Sequence, residues 1–304
     1  MNKIGIITSG GDSPGMNTII QSIVNYTYKK KIKCIGIKNG FNGLIKKKFF
    51  NLSKKILIKN INGLGGTILG AGRSKLFFSI KGRQTAYYNI KNKKINGLIV
   101  IGGNGTFTGI KKFVKEYKNI PIIGIPGTID NDIYGTDHTI GYDTTLNNII
   151  KIVKKIQDTA QSNKRIFIVE VMGKNTGFLA LNSGITIGAL YIFFKKLNLK
   201  NLKKIIEYIK KNLNKHKIII VAENKKIGQA SKDIYNILKK KKIKLKIRCI
   251  ILGHIQRGGS PTFLDRMLAI RLGINSIKTL INKKKNKIIG IKNNKINYIP
   301  LSKI

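Results

Sequence analysis

The sequence predicts an α/β fold with mainly parallel sheets. Short β-branched runs alternate along the chain with segments of helical period, and glycine-rich polar clusters directly follow several of the runs. Strands alternating with helices are joined by right-handed crossovers, and ligands of such sheets gather at the carboxyl ends of the strands. Composition agrees: 304 residues with 42% hydrophobic content can bury a sizeable core, which excludes disorder for most of the chain. Only 5 prolines against 32 glycines exclude a proline-rich or collagen-like chain.

In chain order, residues 3–8, 33–37, 97–101, 120–125, 165–171, 217–222 and 245–252 read as buried strands. The first runs into Gly10-Gly11-Asp12, the third into Gly102-Gly103-Asn104-Gly105-Thr106, the fourth into Gly127-Thr128-Ile129-Asp130 and the fifth into Met172-Gly173-Lys174. Leu146, Ile149, Ile150, Val153 and Ile156 mark one face of a helix whose N-cap region is Asp143 or Thr144. A further helix follows Pro261, with Met267, Ile270, Ile274, Ile277 and Ile281 at helical spacing, predicted as its apolar face. Residues 177–194 are uncharged, but Asn182, Ser183, Gly184, Thr186 and Gly188 interrupt them, so a buried helix followed by a strand is expected rather than a membrane span. No targeting segment is expected, because residues 1–8 are too short for a signal-peptide core before Ser9-Gly10-Gly11 interrupts them.

Cys34 and Cys249 lie far apart in apolar stretches, which predicts reduced, buried thiols and a cytoplasmic protein. The charge is extreme: 59 Lys and Arg against 12 Asp and Glu give +47. The lysines are spread along the chain among abundant Ile and Asn, so a solvated basic surface is expected rather than a dedicated nucleic-acid or membrane face. Such a field favours small anionic substrates.

Several clusters carry chemistry. A strand entering Gly-Gly-x-Gly-Thr and then a helix lets backbone N–H groups approach phosphate oxygens, and the helix N-terminus favours their charge. It is not a Walker A loop, since Asn175 follows Gly173-Lys174 and Ile168 stands where the first glycine would be. Asp130 and Asp132 bring two of the 12 acidic residues within three positions, and such carboxylates repel unless a cation or substrate compensates. One of them suits a general base for a substrate hydroxyl. Seven arginines persist in this lysine-rich chain, at 73, 83, 165, 248, 257, 266 and 271, and bidentate phosphate binding is the expected reason. His254 beside Arg257 in a glycine-rich loop completes a candidate sugar-phosphate set.

These motifs resemble 6-phosphofructokinase of the short bacterial type. The resemblance runs through TSGGDSPGMN (8–17), GGTILGAGR (65–73), IGGNGT (101–106), PGTIDNDIYGTDHTIGYDT (126–144), VEVMGKNTG (169–177) and LGHIQRGGSPTFLDR (252–266). It implies two Rossmann-like three-layer domains with mainly parallel sheets, the phosphofructokinase fold. Residues 1–140 with 254–304 would bind nucleotide and residues 141–253 sugar phosphate. It also implies an ATP-dependent kinase of glycolysis using Mg²⁺, from a family of allosteric enzymes, in which ATP phosphorylates the 1-hydroxyl of fructose 6-phosphate. Asp130 would be the base, with Thr128, Lys174 and Arg73 in the catalytic group. Gly11, Arg73, Ser74, Gly103, Asn104, Gly105 and Thr106 would line the nucleotide. Thr128, Ile129, Asp130, Met172, Gly173, Lys174, Glu223, His254, Ile255, Gln256 and Arg257 would hold the sugar phosphate. Arg165 and Arg248 would reach it across the subunit interface of a homotetramer.

The chain departs from that pattern in three places. Asn104 stands where the family carries the Asp that serves magnesium, so the metal position falls on an amide. Lys174 replaces an arginine, keeping charge but losing the fork. Gln21, Asn25 and Gln157 replace arginines of a nucleotide-type effector site, which predicts weak control. The competing readings are the pyrophosphate-dependent enzyme of the same fold, nucleotide or lipid kinases sharing a Gly-Gly-Asp-Gly-Thr turn, and a degenerate basic nucleic-acid-binding protein. Gly105 and Gly127 oppose the first, since that branch tends to carry Asp and Lys there. The HIQRGG and TIDND segments oppose the second.

Overall fold

The computed structural model describes residues 1–52, 60–195, 202–212, 217–241, 243, 245–282 and 285–303. The chain divides into two compact units, Met1–Thr144 with Arg257–Ile304 and Thr145–Gln256. The described strands are β1 Lys3–Thr8, β2 Lys33–Ile37, β3 Phe49–Asn51, β4 Gly97–Gly102, β5 Ile122–Pro126, β6 Ile166–Val171, β7 Tyr191–Phe193, β8 Ile218–Ala222, β9 Ile247–Ile251, β10 Lys287–Lys292 and β11 Lys295–Pro300. The helices are α1 Met16–Lys29, α2 Gly40–Ile45, α3 Ile80–Asn92, α4 Asn104–Glu116, α5 Tyr142–Ser162, α6 Phe178–Thr186, α7 Leu202–Asn212, α8 Gln229–Lys240 and α9 Phe263–Ile281.

The first unit is built on a seven-stranded sheet ordered β11-β10-β5-β4-β1-β2-β3, parallel except for β3 and β11 at its edges. Side chains alternate across it. Ile4 and Ile6 of β1 join Ile19, Ile20 and Ile23 of α1 and Leu272 of α9 in one core, while Ile7 joins Phe41 of α2, Ile90 of α3 and Phe107 of α4 in the other. Helices on both faces bury both sides, which is why these strands read as continuous apolar runs. Each fully buried isoleucine stabilises by ~1.5–3 kcal/mol.

The second unit has a four-stranded parallel sheet ordered β7-β8-β6-β9. Ile206 and Ile209 of α7 and Ile234 and Leu238 of α8 pack with Ile166, Ile168, Ile219 and Val221 of the sheet. The N-terminus of α8 is capped from a distance: Glu170 of β6, 1% exposed, accepts from Gly228 N at 2.6 Å and Ser231 N at 2.8 Å. Asp265 of the first unit does the same at the start of α5, accepting from Gly141 N and Thr144 N, both at 2.8 Å. Burial pushes its carboxyl above the usual range, against the hydrogen bonds it accepts from Thr144 and Gly141.

Several sequence expectations need correction. The apolar face predicted for α9 holds only in part: Ile277 is buried, but Met267 is 42% and Ile281 38% exposed, while Leu268, Ala269, Leu272 and Gly273, not predicted, are buried. Close packing on α1 selects small residues there, since a Cβ on Gly273 would lie 2.0 Å from Ser22 Oγ. The periodicity argument read through those smaller residues to the larger ones. β9 is an exposed edge, not a buried strand, with Arg248 and Cys249 exposed. Of the two thiols only Cys34 is buried, and that burial pushes it up to about 12. α5 begins at Tyr142, so Asp143 and Thr144 lie in its first turn rather than before it. Strands β3, β10 and β11 were not anticipated. Among the described residues no helix is long and apolar enough to cross a membrane.

Candidate active site

In the first unit, β5, β4 and β1 are neighbours, so the loops after them emerge side by side. The chain steps from β1 to β2 on one side and reaches β4 on the other, the strand-order reversal where doubly wound sheets bind ligands. Short bonds lock the loops together. Ser9 N donates to Ile101 O at 2.9 Å, Gly127 N to Gly102 O at 3.0 Å, and Thr106 Oγ1 to Ser9 O at 3.1 Å. The 64–72 loop is fastened to the same edge: Thr8 Oγ1 donates to Gly70 O at 2.8 Å, Gly10 N to Gly72 O at 3.2 Å and Asn17 Nδ2 to Gly65 O at 3.0 Å.

Helix α4 starts here with Gly103 as N-cap, no side-chain cap and no acidic residue in its first turn. Its leading N–H groups and dipole therefore favour an anion. Space differs sharply between the glycines. A Cβ on Gly105 would meet nothing within 4 Å, whereas one on Gly102 would lie 2.5 Å from Thr106 Oγ1 and one on Gly127 2.8 Å from Ile101 Cγ2. Asn104 Nδ2 donates to Asp132 O at 3.1 Å, which leaves its Oδ1 as the side chain's acceptor. Asp130 N donates to Thr128 Oγ1 at 3.3 Å.

Arg257 reaches this cluster from the other end of the chain. Its Nη1 donates to Asp12 O at 2.7 Å and lies 3.8 Å from Asp12 Oδ1. The guanidinium rests on Gly11, where a Cβ would come within 2.3 Å of Nη1. Its Nε is buried without a hydrogen-bond partner, a donor that an anionic oxygen would satisfy. Arg73 is exposed. Ser74 is 4% exposed and its hydroxyl is committed, donating to Asn42 Oδ1 at 2.5 Å and accepting from Phe77 N at 3.2 Å.

In the second unit, Met172, Gly173 and Lys174 follow β6, Glu223 follows β8, and His254, Ile255 and Gln256 follow β9. These strands are adjacent, so their carboxyl ends bring the three groups to one edge. His254 and Lys174 are exposed, Glu223 half-buried. Gln256 is fully buried: its Oε1 accepts from Met172 N at 3.2 Å and its Nε2 donates to Gly253 O at 2.8 Å. Its side chain serves the loop. Ile129 is likewise 0% exposed, so its side chain belongs to the core. Arg165 and Arg248 are not brought to this edge. Arg165 precedes β6, and Arg248 pairs with Phe167 near the strands' amino ends, five residues and so roughly 17 Å from Met172 at ~3.3 Å per residue.

A phosphofructokinase family model matches residues 3–280. The chain belongs to the phosphofructokinase family. It is 44% identical over 303 residues to ATP-dependent 6-phosphofructokinase 2 of Bacteroides thetaiotaomicron, covering 99% of this chain and 92% of that one. It is 43% identical over 307 residues to ATP-dependent 6-phosphofructokinase of Halothermothrix orenii, covering 97% and 92%. Pichia pastoris phosphofructokinase in the T-state superposes with a TM-score of 0.91 at 34% identity, over 99% of this chain, which spans 35% of that one.

Within this phosphofructokinase the argument from scarce arginines holds only in part. Arg83, 4% exposed, binds Glu116 through Nε at 2.7 Å and Nη2 at 2.5 Å and donates to the carbonyls of Phe77 and Phe78. Arg266 donates to Pro261 O and Ser260 Oγ, and Arg271 to Asn294. These three forks satisfy the protein's own acceptors. At two of the three predicted effector positions the amides answer one another: Gln21 Nε2 donates to Asn25 Oδ1 at 2.9 Å and Gln21 Oε1 accepts from Ile61 N at 3.1 Å. These two line a cavity of about 270 Å³ between α1 and α9, while Gln157 Nε2 donates to Ile187 O at 2.9 Å. Sequence reasoning missed Asp265, although Thr262 and Asp265 form a Thr-x-x-Asp start signal whose cap bond, Asp265 N to Thr262 Oγ1, is present.

Proposed function

We infer that this chain is an ATP-dependent 6-phosphofructokinase, transferring the terminal phosphoryl group of ATP to the 1-hydroxyl of fructose 6-phosphate to give fructose 1,6-bisphosphate and ADP. The observation that carries this reading is the neighbouring arrangement of the uncapped α4 N-terminus and the Thr128-Ile129-Asp130 loop, in a chain 44% identical to an enzyme of that name. Asp130 takes the proton as the 1-hydroxyl oxygen bonds to phosphorus and the bond to the ADP oxygen breaks. Such a base contributes ~10²- to 10⁴-fold. The α4 amides and Arg73 neutralise the phosphates, with Gly11 and Thr106 lining the nucleotide and Ser74 contributing only backbone. Thr128, Met172, Gly173, Lys174, Glu223, His254 and Arg257 hold the sugar phosphate.

Magnesium enters as part of the nucleotide substrate. Among the described residues no three His, Cys, Asp or Glu side chains group as a metal site, and Asn104 offers one neutral oxygen. That donor set fits an ion carried chiefly by phosphate oxygens and water. When bound, it neutralises phosphate charge. ATP rather than pyrophosphate is the donor: Gly105 leaves open space for a larger ligand, and a lysine at position 127 would collide with Ile101.

The active form is a homotetramer in the cytoplasm. In that assembly Arg248, exposed on the edge strand β9, and Arg165, just before the central strand β6, serve a neighbouring subunit's sugar phosphate, which fits their place at the amino ends of the strands. With amides at Gln21, Asn25 and Gln157, control by phosphate-bearing effectors is weak. Purified protein offered fructose 6-phosphate with ATP or with pyrophosphate tests the reading. Product with ATP is expected, faster turnover with pyrophosphate would reverse the donor assignment, and no product with either would reject the activity.

A further inference from the structure

The loop that carries Asp130 is tied down on both flanks, and the ties converge on Thr139. Its Oγ1 donates to Thr128 O at 2.6 Å, upstream of Asp130, and its N donates to Asn131 Oδ1 at 2.7 Å, just downstream. Asn131 Nδ2 donates to Asp137 O at 3.0 Å, closing the brace. Asn131 adopts φ 50°, a left-handed conformation that asparagine tolerates better than most residues. Ile129 and Ile133, 0% and 4% exposed, anchor the same loop in the core. Thr139 is itself 1% exposed, so its bonds are shielded from competing water.

The brace has a foundation in the C-terminal hairpin. Asp137 N donates to Ile291 O, Asn293 N to Asp137 Oδ2 and Asn297 Nδ2 to Gly135 O, each at 2.7 Å. Thr136 Oγ1 accepts from Ile291 N at 3.0 Å. The segment leading to Thr139 is thereby fixed to β10 and β11, whose two-residue turn, Asn293-Asn294, has positive φ at both positions.

We propose that Thr139 is a positioning residue for Asp130, its hydroxyl holding the Thr128 carbonyl and its amide the Asn131 side chain, on either side of the base, so that the carboxylate is presented in one geometry. The proposal rests on the reading of Asp130 as the base. Proton abstraction requires hydrogen-bond reach, and a displacement of ~1 Å can cost 10²-fold in rate while leaving binding groups elsewhere unaffected.

The test is steady-state kinetics with fructose 6-phosphate and ATP. Thr139→Val keeps the branched shape and removes only the hydroxyl. It is expected to lower kcat about tenfold, ~1.4 kcal/mol in the barrier, with both KM values within about twofold. Thr139→Ser, which keeps the hydroxyl, should stay within about threefold of the starting kcat. In the Asp130→Ser background Thr139→Val should cause no further loss, because no base remains to be positioned. Asn131→Gly, whose backbone conformation glycine adopts freely, gives an independent variant with the same expected kcat-selective loss. Unchanged kcat in Thr139→Val and Asn131→Gly, or the same tenfold loss with Asp130 already replaced, overturns the proposal while leaving the base assignment intact. Near-normal turnover of Asp130→Ser alone overturns the base assignment and this proposal with it.

Discussion

Replacing Gly11 by alanine perturbs the contact between the first phosphate loop and Arg257. Gly11 is exposed and has no positive φ, so alanine can adopt its backbone conformation. The added methyl would lie 2.3 Å from Arg257 Nη1 and 3.0 Å from Cζ. The guanidinium must withdraw by ~1 Å to reach ordinary contact. That movement breaks the 2.7 Å bond to Asp12 O and loosens the longer pairing with its carboxylate. Hydrogen bonds to charged groups contribute ~1.5–3 kcal/mol, which corresponds to about a 10- to 100-fold change in an equilibrium constant. If Arg257 holds the sugar phosphate, Gly11→Ala raises KM for fructose 6-phosphate by about tenfold or more. Thermal stability should hardly change, since the methyl sits at the surface and meets only a movable side chain. Varying each substrate at saturation of the other reads the effect. A KM for fructose 6-phosphate within twofold of the starting enzyme would refute the role given to Arg257 and the steric argument together.

Asn104→Asp should lower the magnesium concentration needed for half-maximal rate and raise turnover, because a carboxylate is a stronger hard ligand than an amide oxygen; identical magnesium titrations of the two forms would count against it. Asp265→Ala leaves the Gly141 and Thr144 amides without their acceptor and should cost ~2–4 kcal/mol in urea unfolding, whereas a loss below ~0.5 kcal/mol would show that the cap is dispensable. Cys249 is exposed and should react with a thiol reagent in the isolated subunit but be protected on assembly if β9 lies in the interface, while Cys34 should stay unmodified until unfolding. The Cys34 thiol rises on folding from 9.0 to about 12, so its contribution to stability is complete below pH 9.0 and is lost as pH climbs towards about 12; labelling of folded Cys34 near neutral pH would contradict this.

What could be read from the sequence depended on whether the deciding interaction was local. The parallel strands were legible because helices cover both faces of the sheets, so β1, β4 and β5 are uninterrupted apolar runs. The phosphate loops were legible because chain order puts them directly after those strands. β9 was misjudged because an apolar strand at an edge has the same composition as one at the centre, and only pairing order separates them. The α9 face was misjudged because its contact with α1 relies on Gly273, Ala269 and Ser276, residues that hydrophobic periodicity does not weigh. That the Gln256 and Ser74 side chains are bonded within the protein was not legible, because motif position cannot tell which way a polar side chain turns. The hairpin β10–β11 escaped notice for want of the Asn-Gly signal, although consecutive asparagines also accept the positive φ that its turn requires.

Scarcity of acidic residues pointed towards Asp130, but the same reasoning extends further than the active site. Glu170 and Asp265, 1% and 2% exposed, each accept two backbone N–H groups at the start of a helix, and Glu116 accepts both branches of the Arg83 fork. Asp137 accepts the amide of Asn293 at the hairpin turn. At Glu170, Asp265 and Glu116 lysine would be worse than merely neutral. It would add a donor where donors already lack acceptors and set a positive charge against the positive end of a helix dipole or a guanidinium. A chain with 59 basic and 12 acidic residues can therefore exchange charge freely over its solvated surface, where single charges contribute little, yet not at these positions. Asp158, Glu207 and Asp233 stand on exposed helix faces, but Glu170 and Asp265 mark buried groups of backbone donors that a carboxylate satisfies and a lysine could not.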